Sequence, residues 1–259
     1  ILDGERRYRA CKKLNIKQIP ARVLIREPNI LESLSLMFHI HNVRQEWTEF
    51  AISLTIKRIL EELGKPISHL NRSDILDLSK ITSLSEYRIN KYLRYLDYPD
   101  DVFNMFLSNE INLRKKEGPD PDILLEMHRP ISDIKLVMPD ILNEFPIKKI
   151  IDVCIKKKEA GVIKSNKEFR LIAQSLTAAK KDEIDISALR KNLVNFFSII
   201  DYSPAKVYER TAQNVYQYKN IKRSSEHFLS QLKVFAFDSL DEDKKAEICS
   251  IIVEIMKMI

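Results

Sequence analysis

Near its start the chain has Gly4-Glu5-Arg6-Arg7, a run with the side chains needed to hold a phosphate group. A glycine lets a ligand approach the backbone closely, and the first N–H groups of a following helix are free to bind an anion. The two guanidinium groups add planar sets of N–H donors that match phosphate oxygens. These residues therefore predict a phosphate site, although arginines clustered at a helix start on a surface give the same pattern.

The elements that would position this turn are a strand, a helix and a second strand. Residues 1–3 are short and apolar, and residues 5–14 carry helix formers with apolar side chains at helical spacing. Residues 19–25 are typical of a strand that is entered through Pro20. Because the chain opens on a strand end without a methionine, we expect the first domain to lack its start.

The chain begins with ILDGERRYRACKKLNIKQIP, which closely resembles the second nucleotide-binding motif of ParB partition proteins. That motif is a strand, Asp-Gly-Glu-Arg-Arg-x-Arg-Ala, a helix, and Ile-Pro before the next strand. The resemblance implies the carboxy-terminal part of a ParB/sulfiredoxin-like α/β domain over residues 1–46. It also implies that the cofactor is CTP with Mg²⁺ and that Gly4, Glu5, Arg6 and Arg7 hold its triphosphate.

The next motif of that family is Glu-Asn-x-Gln-Arg at a helix end, and the corresponding place here has His41-Asn42-Val43-Arg44-Gln45. By resemblance, Asn42 binds the nucleotide. In that family the Glu-Asn pair also helps bind Mg²⁺. Here His41 replaces the glutamate, and a neutral imidazole is a poor ligand for Mg²⁺, which prefers hard oxygen atoms. Two alternatives therefore remain, CTP hydrolysis and CTP binding without turnover. We assign no catalytic residue. An ordinary helix end is a further interpretation of these residues.

A helix-turn-helix is predicted within residues 71–112. A short helix over 73–80, a turn over 81–84 and a second helix over 84–96 match the lengths of that motif. In such motifs the second helix enters the major groove of DNA. The continuation over 92–102 resembles the run that follows the recognition helix of ParB proteins, which places two family motifs in the expected order.

Polar side chains on and before the second helix are the candidates for DNA contacts. The residues expected near DNA are Ser83, Ser85, Tyr87, Arg88, Lys91 and Arg94. Arg88 is the candidate for a base contact, and Lys91 and Arg94 are candidates for phosphate contacts. Ser83 and Glu86 have capping-box form and predict the start of the helix. An ordinary cluster of three helices with solvated polar faces is the alternative.

We predict three segments and a mainly α fold with an α+β start. They are the nucleotide-binding part over 1–46, a linker helix with the helix-turn-helix over 47–117, and a C-terminal helical domain over 118–259. A stiff polar break, Gly-Pro-Asp-Pro-Asp, opens the last segment. Its predicted helices cover 133–144, 147–159, 166–179, 186–200, 204–218, 222–235 and 240–258. The last of these is apolar enough to favour burial or self-association.

Composition narrows the classes of protein further. The net charge is +6 and the pI is about 9.0, which suits a polyanionic partner and equally suits solvated helical surfaces. The same two interpretations apply to the basic run 156–158 and to residues 202–223, where tyrosines alternate with lysine and arginine. No metal-ligand spacing and no membrane segment occur. The cysteines are far apart and predict a reduced, cytoplasmic protein: Cys11, Cys154 and Cys249.

Three functional hypotheses follow from these patterns. The first is a homodimeric ParB-like protein for plasmid or chromosome partition, which binds a centromere-like site in double-stranded DNA. The resemblance implies that CTP biases closure of the dimer around DNA, that a ParA-type ATPase is the partner, and that the protein associates with a nucleoid or plasmid. The second is a transcriptional regulator of a mobile element without nucleotide turnover. The third is a ParB-like nuclease, for which Asp3, Glu5 and Glu46 are the nearest carboxylates.

Overall fold

Helices account for most of the chain, as expected from its abundant leucine, isoleucine, lysine and glutamate and its four glycines. The computed structural model describes residues 1–44, 47–111, 118–234 and 241–258. The helices of these ranges are α1 (Glu5–Lys13), α2 (Ile30–Arg44), α3 (Glu49–Glu62), α4 (Arg72–Thr82), α5 (Glu86–Leu96), α6 (Asp100–Ile111), α7 (Asp122–Val137), α8 (Ile141–Glu144), α9 (Ile147–Glu159), α10 (Phe169–Lys180), α11 (Ile186–Ser198), α12 (Pro204–Glu209), α13 (Gln213–Val234) and α14 (Glu242–Met258). The mainly α class is confirmed.

No strand is present in the ranges that the structure describes, so the predicted strands over 1–3 and 19–25 are wrong. Both stretches are coil. A strand is stabilised by hydrogen bonds to a neighbouring strand, and neither stretch has such a neighbour among the described residues. The side chains of Val23 and Ile25 in the second stretch are exposed. The predicted helix over 5–14 is confirmed as α1, because its helix formers act locally.

The chain forms two compact units, Ile1–Thr211 and Ala212–Ile259. The segment boundaries predicted after residues 46 and 117 both fall inside the first unit and stay predictions. In the second unit, α13 runs without a break where the sequence predicts two helices, 204–218 and 222–235. Large apolar side chains of α13, such as Tyr218 and Ile221, are exposed. Self-association through this unit stays a prediction.

An aromatic cluster joins α3 to α5 and α6 in the first unit. The Phe50 ring of α3 is fully buried, and its centroid lies 4.8 Å from that of Tyr95, 5.1 Å from that of Phe103 and 5.7 Å from that of Phe106. Buried aromatic pairs at such distances stabilise a core by roughly 0.5–1.5 kcal/mol each beyond the burial of their area. The cluster therefore holds α5 firmly against α3.

Helix α7 begins earlier than the sequence predicts. It starts at Asp122 rather than near residue 133 and continues through Pro130, which is buried. A proline inside a helix removes one backbone hydrogen bond and disfavours the preceding turn. Here α7 packs along α10. The burial of α7 side chains such as Met127 and Ile134 stabilises the helix by more than Pro130 destabilises it.

The basic run at the end of α9 is only partly solvated. Lys156 is exposed, but Lys157 is fully buried and donates hydrogen bonds to the carbonyl oxygens of three residues that follow α11. The Nζ–O distances are 2.5 Å to Ile199, 2.7 Å to Ile200 and 2.9 Å to Tyr202. The lysine thus satisfies backbone acceptors at a helix end, a structural role that excludes it from a nucleic-acid contact.

The polar break at residues 118–122 is held against α9 by hydrogen bonds to one carboxylate. Asp120 Oδ2 accepts hydrogen bonds from Lys158 Nζ at 2.7 Å and from Asn166 Nδ2 at 2.8 Å, while Oδ1 accepts from the backbone N–H of Asp122 at 3.0 Å. Burial raises the pKa of Asp120, but these hydrogen bonds and the Lys158 charge outweigh burial and leave the pKa below its usual value.

This carboxylate predicts a pH-dependent contribution to stability. Because the folded-state pKa of Asp120 is lowered, its contribution is complete above the unfolded value of about 3.9 and is lost as the pH falls through the folded value. We expect Asp120→Asn to lower the free energy of unfolding at pH 7 by about 1 kcal/mol, a small figure because solvent screens the partly exposed carboxylate. Urea unfolding at several pH values measures the difference between variant and wild type.

The difference should shrink as the solution is acidified through the folded-state pKa. Asp182→Asn is the matched control, because Asp182 is exposed and asparagine tolerates its left-handed backbone conformation. A difference between Asp120→Asn and wild type that stays constant with pH would contradict the prediction.

Candidate nucleic-acid interface

A locked three-residue turn connects α4 to α5. Helix α4 ends at Thr82 and is followed by Ser83, which adopts the left-handed conformation with φ of 55°. Ser85 caps α5 by accepting a hydrogen bond from the N–H of Arg88 at 3.4 Å. The buried Leu84 lies between them, and its carbonyl accepts a hydrogen bond from Ser79 Oγ at 2.6 Å. The N-cap is therefore Ser85, and not Ser83 as predicted. These contacts set the direction in which α5 leaves α4.

The inner face of α5 is held by packing and by one carboxylate of α3. Ile89, Tyr92 and Tyr95 are buried. Glu49 accepts hydrogen bonds from Tyr95 Oη at 2.9 Å and from Lys91 Nζ at 2.6 Å. The half-buried Lys91, expected at a DNA phosphate, therefore has its charge paired inside the protein.

The outer face of α5 carries three exposed polar side chains in one stripe. Tyr87, Asn90 and Arg94 are spaced three and four residues apart, so they share one side of the helix, and all three are exposed. Tyr87 is 79% exposed. Arg94 makes no ion pair or hydrogen bond within the described part of the chain. This stripe is the surface that a nucleic-acid groove could accept.

Asn90 was not among the residues singled out from the sequence, and Arg88 lies beside the stripe rather than on it. Arg88 is exposed, but its guanidinium donates a hydrogen bond to Tyr92 Oη at 3.1 Å, on the flank of the helix. Asn90 Nδ2 donates to the Glu86 carbonyl at 2.9 Å and faces outward. The helical spacing of the apolar residues Ile89 and Tyr92 could have identified Asn90, because it lies opposite them.

The remaining sequence-predicted DNA contacts lie at the start of α5. Ser83 and Ser85 are exposed, next to the first backbone N–H groups of the helix. Hydroxyls and helix N-termini are common phosphate contacts in protein–DNA interfaces. Ser83, Ser85, Tyr87 and Arg94 are thus exposed on α5 or just before it, Arg88 lies on the flank of the helix, and the charge of Lys91 is engaged by Glu49.

The glycine-arginine turn has a defined geometry of its own. Gly4 adopts the left-handed conformation, with φ of 84°, immediately before α1. Its N–H donates to Asp3 Oδ1 at 2.7 Å, and the Arg7 guanidinium lies 3.4 Å from Asp3 Oδ2. A Cβ at position 4 would come within 3.1 Å of the Arg7 guanidinium and would strain the backbone, so the position requires glycine. Glu5 is exposed and pairs with Arg9 at 2.5 Å.

The arginines of this turn are largely open to solvent. Arg6 is exposed, and the Arg7 side chain is 77% exposed. Asn42, the other predicted nucleotide-binding residue, lies with His41 in the last turns of α2, but both side chains fall outside the described residues. Glu46 lies outside them as well. The structure therefore places Gly4, Glu5, Arg6 and Arg7 together and leaves their predicted pairing with Asn42 as a prediction.

The described ranges also lack a metal site and a membrane-spanning helix. Within them, no group of three or more histidine, cysteine, aspartate or glutamate side chains is placed to hold a metal ion. None of the helices in the same ranges is long and apolar enough to cross a membrane.

Comparisons with known proteins give two distant similarities. Over 141 aligned residues the chain is 24% identical to a probable chromosome-partitioning protein ParB of Rickettsia typhi, and 23% identical to that of Rickettsia prowazekii. Each alignment covers 46% of this chain and 47% of the relative, so the chain spans about half the length of the curated relatives it matches. No family model and no solved structure matches. The similarities support a distant relationship to the ParB family.

Proposed function

We propose that this chain is a ParB-like DNA-binding protein that acts in the partition of a plasmid or chromosome. The observation that carries the proposal is the outward stripe of Tyr87, Asn90 and Arg94 on α5, a helix fixed by the turn at Ser83–Ser85 and by the Phe50 cluster. The two relatives, both named as chromosome-partitioning proteins, support the biological role.

In this proposal α5 enters the major groove of double-stranded DNA. An asparagine amide can bond both N6 and N7 of adenine, which makes Asn90 a base contact, and Arg94 can bind a guanine edge or a phosphate. Ser83 and Ser85 bind a phosphate at the start of the helix. Arg88 stands beside the groove, where its guanidinium reaches the backbone. A homodimer would place two such helices on an inverted repeat.

The glycine turn before α1 is the proposed nucleotide site. The left-handed Gly4 and the two exposed arginines provide backbone N–H groups and guanidinium donors for the triphosphate of CTP with Mg²⁺. Nucleotide binding would then bias closure of the dimer on DNA, and a ParA-type ATPase would be its partner. The protein would be found with the nucleoid or plasmid.

Two measurements test DNA binding and nucleotide binding separately. For DNA, several rounds of selection from a random duplex library should enrich an inverted repeat, and affinity for it should fall steeply with salt. Failure to enrich any sequence, together with salt-independent binding, would contradict the proposal. For the nucleotide, titration calorimetry with CTP, ATP and GTP should show selective CTP binding that Arg7→Ala abolishes.

A second candidate function is a transcriptional regulator that does not turn over nucleotide. His41, which stands where ParB proteins have glutamate, favours it. Calorimetry together with an assay for phosphate release separates the two: selective CTP binding with turnover supports the partition switch, whereas binding without turnover, or no nucleotide binding, supports the regulator. In the second case the DNA-binding surface on α5 keeps its role.

A further inference from the structure

The outward stripe of α5 continues to Asp97, where it meets α7. Asp97 follows Asn90 by seven residues and Arg94 by three, and its backbone stays in the right-handed helical region, with φ of −74° and ψ of −11°. It therefore lies on the same side of α5 as the proposed DNA contacts. Its Oδ2 is 2.8 Å from His128 Nε2 of α7. Helix α7 thus stands at the C-terminal end of the proposed interface.

A small polar cavity occupies the junction of the two helices. Its volume is about 130 Å³, and its lining includes Asp97, His128, Ser132 and Lys135. A water molecule in the liquid takes up about 30 Å³, so the cavity has room for a tetrahedral oxyanion. The three lining residues of α7 are spaced four and three apart, which puts them on one face of that helix.

The charges of this cavity leave one cation without a partner. The Asp97 carboxylate is engaged by His128, and the Ser132 hydroxyl donates to the His128 carbonyl at 2.9 Å. Lys135 is exposed and has no ion pair or hydrogen bond among the residues that the structure describes. An ammonium group on a flexible stem beside a polar cavity is a common phosphate contact.

We infer that Lys135 binds a backbone phosphate of DNA that flanks the groove entered by α5. The inference rests on the proposed function. A phosphate is favoured over a base because Lys135 belongs to a helix beside α5, and the sugar-phosphate backbone lines both sides of a major groove about 12 Å wide. The DNA-binding surface then includes the start of the segment predicted as a separate C-terminal domain.

The test is the salt dependence of DNA binding by the full chain. Fluorescence anisotropy with a labelled mixed-sequence duplex of roughly 30 base pairs, several helical turns, gives log K against log salt concentration. Lys135→Ala is expected to reduce the magnitude of the slope by about 0.9, the value for one phosphate contact, and to weaken binding equally for all sequences. Lys135→Arg keeps the positive charge and should therefore keep the wild-type slope of log K against log salt concentration. Lys191→Ala, which removes an exposed lysine from α11, should leave it unchanged.

The outcomes separate this inference from the proposed function. If wild type binds with a salt-dependent affinity and Lys135→Ala has the same slope, the phosphate contact is refuted while DNA binding through α5 stands. If Lys191→Ala reduces the slope as much as Lys135→Ala, the effect is one of net charge and the inference is also refuted. If wild type does not bind duplex DNA, the proposed function fails and the inference fails with it.

Discussion

Replacing Arg94 with glutamate is expected to lower the affinity for duplex DNA about a hundredfold at low salt, which is roughly 2.7 kcal/mol. Arg94 stands on the outward stripe of α5, exposed and unpaired within the described part of the chain. One lost base or phosphate contact accounts for about 1–3 kcal/mol, and the new carboxylate adds repulsion from the phosphates. Fluorescence anisotropy with the selected duplex measures the change.

Two further variants identify the source of this effect. Arg94→Lys keeps the charge and should retain much of the non-specific binding while losing discrimination between sequences, because a lysine lacks the planar pair of donors. Lys191→Glu changes the net charge by the same amount on α11. If Lys191→Glu weakens binding as much as Arg94→Glu, the outward stripe of α5 is not the interface. Circular dichroism should show that all three variants keep their helix content, because the replaced side chains are exposed.

Replacing Lys157 with methionine is expected to lower the free energy of unfolding by about 3 kcal/mol. Methionine has a similar volume, so the main loss is the set of hydrogen bonds to the carbonyls of Ile199, Ile200 and Tyr202. A buried acceptor left without a donor costs roughly 1–3 kcal/mol. Burial lowers the pKa of Lys157 to about 8, so the side chain is still an ammonium at pH 7, with three N–H donors for three acceptors.

Urea unfolding at pH 7 measures this effect against a matched control. Lys156→Met makes the same replacement one position earlier on α9, where the side chain is exposed, and should change the free energy of unfolding by less than about 0.5 kcal/mol. Equal stabilities for the two variants would show that the three carbonyls do not depend on Lys157. Because the free energy of unfolding of a domain is only about 5–15 kcal/mol, Lys157→Met should also shorten the lifetime of the folded protein.

Local features of this chain were readable from its sequence. Asn29 with Glu32, and Ser165 with Glu168, form the reciprocal hydrogen bonds of a capping box, and Thr48 caps α3 with its side-chain oxygen. Gly4 adopts the left-handed backbone expected of a glycine before a helix. These features depend on groups within three or four residues of one another, so composition and spacing are sufficient to predict them.

Other predictions failed where the local sequence is compatible with two different structures. Ser83 and Ser85 both have the side chain of an N-cap, and the burial of Leu84 between them decides in favour of Ser85. The helix predicted over 133–144 starts at Asp122 instead, because the packing of α7 on α10 stabilises a helix that contains Pro130. Residues 19–25 have the composition of a strand, but a strand also needs a partner to supply its hydrogen bonds.

Which charges are available for function depends on how the helices pack. Lys91 and Glu49 are 42 residues apart, Asp97 and His128 are 31 apart, and Lys157 meets carbonyls more than 40 residues away. Sequence spacing carries no information about such pairs, because they depend on how α3, α5, α7, α9 and α11 pack. Composition and the spacing of apolar residues were sufficient to predict that the chain is helical and that α5 has a polar face. Packing decided that Asn90 and Arg94 point outward, that Lys91 is paired, and that Lys157 is buried.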